Sequence, residues 1–224
     1  MPDVTVIDYG VGNLYSVRSA LENCGATVNV TSDHGEILGA RRVVLPGVGA
    51  FGDAMQELRT RGLVGVIRDV AKREIPLLGI CLGMQLLLDE SEEFGINAGL
   101  GLIPGRVIPV PSRDVEGAEQ KIPHIGWSAL RLAEETRSWA GTYLSEVILG
   151  EAVYFVHSFM AVPSDPSHRL ADCSYGGQRL PAVIARGGVL GCQFHPERSG
   201  EVGLKILRSF CGVPESDRAA VDRA

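Results

Sequence analysis

Short apolar runs alternate with segments of helical spacing through the first half of the chain. Residues 4 to 7 read as a strand that stops at Asp8, Tyr9 and a glycine-rich turn. Leu14, Val17, Leu21 and Cys24 then recur at the interval of a helix with one buried face. Residues 26 to 30 and 42 to 45 read as the next strands, the second stopped by Pro46-Gly47. Met55 and Leu58 mark one helix, and Leu63, Val66, Ile67 and Val70 mark another. Residues 75 to 80 form a further strand, and a helix begins over 84 to 88. Strands that are apolar throughout, rather than alternating, are buried on both faces, so this pattern predicts a parallel sheet covered by helices. The turns at 10–12, 46–52 and 79–83 each follow a strand. They are therefore expected together at the carboxyl edge of the sheet, where such folds bind ligands.

Beyond about residue 100 the pattern changes. Runs at 107–110, 120–123, 129–132, 152–159, 182–185 and 189–194 read as short strands broken by Gly, Pro and Asp. Here the sheet is expected to gain antiparallel strands, with Arg186-Gly187-Gly188 as a hairpin turn. Ser199 is placed to cap a last helix that buries Leu204, Leu207, Phe210 and Cys211. The expected architecture is one α/β domain over residues 1–213, with a mostly parallel central sheet flanked by helices and added antiparallel strands in the C-terminal half. A flexible tail is expected over 214–224.

Composition narrows the class. The 224 residues are enough for one sizeable core, and a net charge of −6 weighs against a nucleic-acid or anionic-membrane surface. The five cysteines include no C-x-x-C pair, which argues against a disulfide framework or a zinc site and for reduced thiols in a cytoplasm. The N-terminus lacks the basic start and apolar run of a signal peptide, and no stretch approaches the ~18 apolar residues of a membrane span.

One of those cysteines stands apart. Cys81 lies between an apolar strand and a helix start, with Gly79 and Gly83 to either side. A thiol on such a turn projects into a cleft and feels the positive end of the helix dipole, which favours the thiolate. A nucleophile of this kind needs a base and a group to orient it. Gln193-Phe194-His195-Pro196-Glu197 offers both, since residues two apart on an extended segment share a face. The oxyanion formed by attack on a carbonyl needs donors, for which Leu82 N–H and the Val48 or Gly49 N–H groups are candidates. Gln85, one helical turn beyond Cys81, can bind a polar substrate end. Each piece alone has a plain reading: a buried cysteine as core, His-Pro-Glu as a surface tripeptide, Pro-Gly-Val-Gly as a turn. In this order on an α/β chain they reinforce one another. His157 fits a satisfied strand histidine or a cleft wall equally well. His124 and Trp127 fit loop packing or a partner surface, and Asn13 fits a helix cap. His34 and His168 are expected to be solvated, and Cys24, Cys173, Cys192 and Cys211 to lie in the core.

With G-I-C-L-G-M-Q at 79–85, P-G-V-G-A-F at 46–51 and Q-F-H-P-E at 193–197, the chain resembles the class I, triad-type glutamine amidotransferases. D-Y-G-V-G-N-L at 8–14, K-I-P-H-I-G-W at 121–127 and Y-F-V-H-S-F at 154–159 resemble the glutaminase subunits of imidazole glycerol phosphate synthases. The resemblance implies that family's fold and hydrolysis of L-glutamine to glutamate and ammonia for histidine biosynthesis. It implies Cys81 as nucleophile, His195 as acid and base, Glu197 as orienter, and Val48, Gly49 and Leu82 at the oxyanion. Gln85, His157, Ser158 and Phe159 would hold glutamine, with no metal or organic cofactor. Asn13 and the loop Pro123, His124, Ile125, Gly126 and Trp127 would meet a separate cyclase subunit, whose ligand would activate the glutaminase. Family members often carry tyrosine where this chain has Phe159, and lysine where it has Arg198. The remaining alternatives are a glutaminase of another pathway, a non-catalytic regulatory subunit, and a free-standing cysteine hydrolase.

Overall fold

The apolar runs of the first half become a wound series of strands and helices in the computed structural model, which describes residues 2–212. In order they are β1 (Val4–Ile7), α1 (Leu14–Asn23), β2 (Val28–Thr31), α2 (His34–Leu38) and β3 (Val43–Leu45). Then follow α3 (Phe51–Thr60), α4 (Leu63–Lys72), β4 (Leu77–Ile80) and the short α5 (Leu82–Leu86). The second half supplies β5 (Glu90–Ser91), β6 (Asn97–Ala98), β7 (Gly105–Pro109), β8 (His124–Ala129) and β9 (Arg131–Leu132). It continues with β10 (Ala152–His157), β11 (Phe159–Pro163), β12 (Arg169–Tyr175), β13 (Gln178–Arg186), β14 (Val189–Cys192) and α6 (Gly200–Cys211).

Among the described residues the main sheet runs β2-β1-β3-β4-β14-β13-β12-β9. The pairs from β2 to β14 are parallel, and those from β14 outward to β9 are antiparallel. Successive side chains of the central parallel strands enter two separate cores, which is why β3, β4 and β14 carry no polar side chain and are buried throughout. Val4, Val6, Val44, Leu78 and Ile80 pack with α1 and α6, whereas Ile7, Val43, Leu45 and Leu77 pack with α3 and α4. A two-stranded ribbon, β10-β8, and a small sheet, β11-β7-β5-β6, flank this frame. No helix among the described residues is long and apolar enough to cross a membrane.

Several local expectations are corrected. Residues 120–123 are not a strand: Gln120 N–H donates to Ser112 O in a loop, and pairing begins at His124, after a proline that has no N–H to give. The 152–159 run divides at Ser158, and its two parts join different sheets. Strand β12 was not expected, since Asp172 interrupts its apolar pattern. That carboxylate is buried within the sheet and neutralised by Arg169 at 2.8 Å and Arg179 at 3.1 Å. Helix α2 is a further addition to the expected elements: Asp33 and Glu36 are spaced as a capping box, and the Asp33 side chain accepts the Glu36 N–H at 2.8 Å. Ser199 does precede the last helix but makes no side-chain cap bond. Its hydroxyl instead donates to His195 O at 2.6 Å and accepts the Tyr154 N–H at 3.0 Å. The expected tail over 214–224 lies outside the described residues.

Candidate active site

Three neighbouring strands end level with one another. Leu45 of β3 is in register with Gly79 of β4, and Ile80 of β4 with Cys192 of β14. The residues that follow them, 46–50, 81–83 and 193–195, therefore emerge side by side at the carboxyl edge of the sheet. Cys81 N–H donates to Cys192 O at 2.7 Å, which extends the ladder one residue beyond β4.

At Cys81 the backbone turns sharply, with φ 54° and ψ −110°. Non-glycine residues seldom occupy that region, and strain of this kind collects at functional sites. The flanking glycines serve close packing rather than an unusual backbone conformation. Neither takes a positive φ. A Cβ on Gly79 would lie 2.6 Å from Gly83 O, and a Cβ on Gly83 would overlap the Leu45 carbonyl oxygen. A Cβ on Gly47 would lie 2.8 Å from Gly83 N. These glycines let three backbones cross in contact, while Cys81 itself carries the unusual dihedral. Gly49, by contrast, has φ 93° and open space around it.

His195 Nδ1 and Glu197 Oε1 are 2.8 Å apart, with the Glu197 side chain only 1% exposed. Their contact was expected from an extended segment. In fact Pro196–Arg198 is a turn of 3-10 helix, so the short reach comes from that turn. Tyr154 O accepts the His195 N–H at 3.0 Å, which fixes the segment against β10. Burial pushes the His195 imidazole down, but its interactions with the Cys81 thiol and the Glu197 carboxylate outweigh this and raise it to about 10. Since Nδ1 faces Glu197, Nε2 is the nitrogen left for the pocket. The Cys81 sulfur sits 4.0 Å from Val156 O and 3.9 Å from Gln193 Nε2.

A cavity of about 310 Å³ opens at this edge. Its walls include Val48, Gly49, Cys81, Leu82, Gln85, His157, Ser158, Phe159 and His195, each singled out from sequence, together with Glu93, Pro123 and Val156. Gln85 Nε2 donates to Phe159 O and to Gln193 Oε1, both at 3.0 Å, so its carbonyl oxygen is the group left for a ligand. His157 Nδ1 lies 2.9 Å from Phe159 O, and its Nε2 lies 3.0 Å from His124 Nδ1. The two readings of His157 thus merge: it is both a satisfied, buried histidine and part of the wall.

Two participants were missed. Glu93 reaches into the pocket wall from a run of acidic residues that gave no hint of which would turn inward, and its carboxylate accepts the Phe51 N–H at 2.7 Å. It thereby caps α3, whose own N-cap residue Ala50 cannot. Tyr9 is buried under the 46–50 turn, and its hydroxyl donates to Pro46 O at 2.8 Å. Burial drives its phenol far above the ordinary range. Tyr9 read only as the end of a strand.

The residues expected at a partner surface divide. Asn13 is exposed and its Oδ1 accepts the Ser16 N–H at 3.3 Å, so it does cap α1. Pro123 lines the cavity. The supposed loop that follows is strand β8, and strand alternation sorts its side chains. Ile125 and Trp127 are 53% and 58% exposed, whereas His124 is 2% exposed, which corrects its expected place on the outer surface. Gly126, between them, takes φ 138°. Trp127 meets the Tyr154 ring at 6.0 Å, and Arg198 lies over that ring at 4.9 Å.

Residues 5–212 match the family model for glutamine amidotransferase class-I. The chain is 52% identical over 213 residues to "Imidazole glycerol phosphate synthase subunit HisH 1" of Legionella pneumophila (strain Lens), covering 95% of this chain and 100% of that one. It is 46% identical over 210 residues to the HisH subunit of Geobacillus kaustophilus, covering 94% and 96% respectively. A crystal structure of a glutamine amidotransferase superposes with a TM-score of 0.69 at 20% identity, over 94% of this chain and 99% of that one. PurLQS from Thermotoga maritima superposes at 0.65 and 20% identity, over 93% and 97%. These two show the shared fold. The chain therefore belongs to the class I glutamine amidotransferases and, within them, to the family of imidazole glycerol phosphate synthase HisH subunits.

Proposed function

We propose that this chain hydrolyses L-glutamine to glutamate and ammonia through a thioester on Cys81, and passes the ammonia to a separate cyclase subunit in histidine biosynthesis. The observation that carries this reading is the line Cys81–His195–Glu197 at the sheet edge, where the raised His195 lies between sulfur and carboxylate beside an amino-acid-sized cavity. The Cys81 thiol gives its proton to His195 Nε2 as the sulfur attacks the glutamine side-chain carbonyl carbon, and negative charge develops on the carbonyl oxygen. Leu82, Val48 and Gly49 line the cavity beside Cys81, and their backbone N–H groups are the donors we assign to that oxygen. The carbon–nitrogen bond then breaks as His195 Nε2 gives a proton to the departing ammonia. Water, deprotonated by the same nitrogen, attacks the thioester, and the carbon–sulfur bond breaks to release glutamate and return Cys81. Glu197 holds the imidazole in the right tautomer throughout.

Substrate recognition follows from the remaining wall. The carboxylate of Glu93 suits the α-ammonium group, and the Gln85 carbonyl oxygen suits a substrate N–H. Asn13, Ile125, Gly126 and Trp127, with Tyr15 at 81% exposure, form the surface we assign to the cyclase. Five unpaired thiols suit the reducing cytoplasm. Glutamate release, measured with and without the cyclase subunit and its nucleotide ligand, tests the reading. The native chain is expected to be slow alone and strongly stimulated in the complex, and Cys81→Ala to be inactive in both. Equal rates alone and in the complex would overturn the gated subunit, and activity in Cys81→Ala would overturn the thioester.

A further inference from the structure

We infer that His124 is a positioning residue, which ties the outward-facing strand β8 to the substrate-holding backbone at Phe159 through its hydrogen bond to His157. The inference rests on the glutamine-binding role proposed above for that wall.

The direction of every hydrogen bond in this group can be deduced. Phe159 O can only accept, so the hydrogen between it and His157, 2.9 Å away, belongs to His157 Nδ1. Burial pushes the His157 imidazole down to about 4, so the ring is neutral and its Nε2 carries a lone pair. The 3.0 Å contact with His124 must then be donated by His124 Nδ1. Burial likewise pushes His124 down to about 4, which leaves its Nε2 to accept the Ser128 hydroxyl hydrogen at 3.0 Å. The result is one polarised row, Ser128 to His124 to His157 to Phe159 O, with both rings in the Nδ1–H tautomer.

Phe159 O is the junction of this row with a second one. It also accepts from Gln85 Nε2, whose other bond goes to Gln193, and the Gln193 amide approaches the Cys81 sulfur. The carbonyl orientation at Phe159, and with it the Ser158–Phe159 wall of the cavity, is thus held from two sides. At the other end His124 is clamped. Its ring stacks on Phe155 at 4.9 Å and on Tyr175 at 4.2 Å, and its backbone is in register with His157 across the β8–β10 pair. The ring cannot tilt independently, so it moves with β8. That strand presents Ile125 and Trp127 outward on the opposite face from His124. A partner that presses on those two side chains therefore acts, through two imidazoles, on the backbone that holds glutamine.

Two measurements test this. In the isolated subunit, nitrogen-15 spectra of the imidazoles are expected to report the Nδ1–H tautomer at both His124 and His157; an Nε2–H form at either ring would overturn the inference. In the complex with the cyclase subunit and its ligand, His124→Phe keeps the ring stack but removes both hydrogen bonds. Its KM for glutamine is expected to rise about tenfold while kcat changes less than about threefold, with unaltered affinity for the cyclase. His124→Asn, which restores an amide donor near the Nδ1 position, is expected to recover most of the loss. An unchanged KM in His124→Phe, a loss matched by weaker cyclase binding, or no recovery in His124→Asn would each overturn the positioning role. Failure of the native complex to release glutamate would instead remove the glutamine reading itself, and this inference with it.

Discussion

The Cys81 N–H donates to the Cys192 carbonyl at 2.7 Å, so the nucleophile's backbone is bonded to a chain that presents His195 three residues later. Base and nucleophile thus come from adjacent parallel strands more than a hundred residues apart in sequence, and their spacing is set by sheet geometry. Movement of one strand end carries the other with it.

Glu197→Gln keeps a hydrogen-bonding side chain beside His195 but removes its charge. On the mechanism above kcat is expected to fall about 10²- to 10⁴-fold with KM near the native value, as steady-state kinetics of the complex would show.

The histidines also predict a pH profile of stability. His195 is raised from its ordinary 6.5 to about 10, so its contribution is complete below pH 6.5 and is lost as pH climbs through about 10. His124 and His157 are lowered to about 4, so their contribution is complete above pH 6.5 and is lost as pH falls towards 4. Denaturant midpoints measured from pH 4 to 10 are expected to decline in both directions. Glu197→Gln should flatten the alkaline limb and His124→Phe the acid limb; unchanged limbs would contradict these assignments.

Gly83→Ala tests the crossing of backbones at the nucleophile turn. The added methyl group would overlap Leu45 O, a backbone atom with no rotamer to change. A loss of about 3 kcal/mol is expected in chemical denaturation, along with most of the activity. Gly49→Ala meets no steric neighbour and is limited only by its φ of 93°, so its loss should be smaller.

Tyr9→Phe removes the hydroxyl that holds Pro46 O at 2.8 Å and leaves the ring in place. The cost to folding is expected near 1 kcal/mol. If the 46–50 turn supplies oxyanion donors, kcat should fall several-fold while KM holds; parallel changes in both would point to substrate binding instead.

Glu93→Gln is expected to raise KM for glutamine about tenfold, the size of a lost charge-assisted hydrogen bond. An analogue that lacks the α-amino group makes the decisive control. Native and variant chains should handle it alike, and a persistent difference would trace the defect to the cap on α3.

Much of this was legible in the sequence because strand ends, glycines and the Cys81, His195 and Glu197 residues are local signals. What escaped depends on contacts between distant segments. Asp172 hides β12 because only Arg169 and Arg179 make a buried carboxylate tolerable in a sheet. Glu93 is one acid among several until the fold turns it towards Phe51, 42 residues earlier in the chain. His124 sits in a motif that fits loop packing or a partner surface, and only the strand register turns it inward.

The close crossing of backbones at Gly47, Gly79 and Gly83 also divides the pocket for anyone who would redesign it. At those three positions no side chain can be added without moving another backbone, so the turn that carries the sulfur is closed to gradual tuning there. The side chains that line the rest of the pocket, Glu93 and Gln85 among them, are not caught in that crossing. A chain adapted to another amide would change there first, and would keep its nucleophile where the sheet holds it.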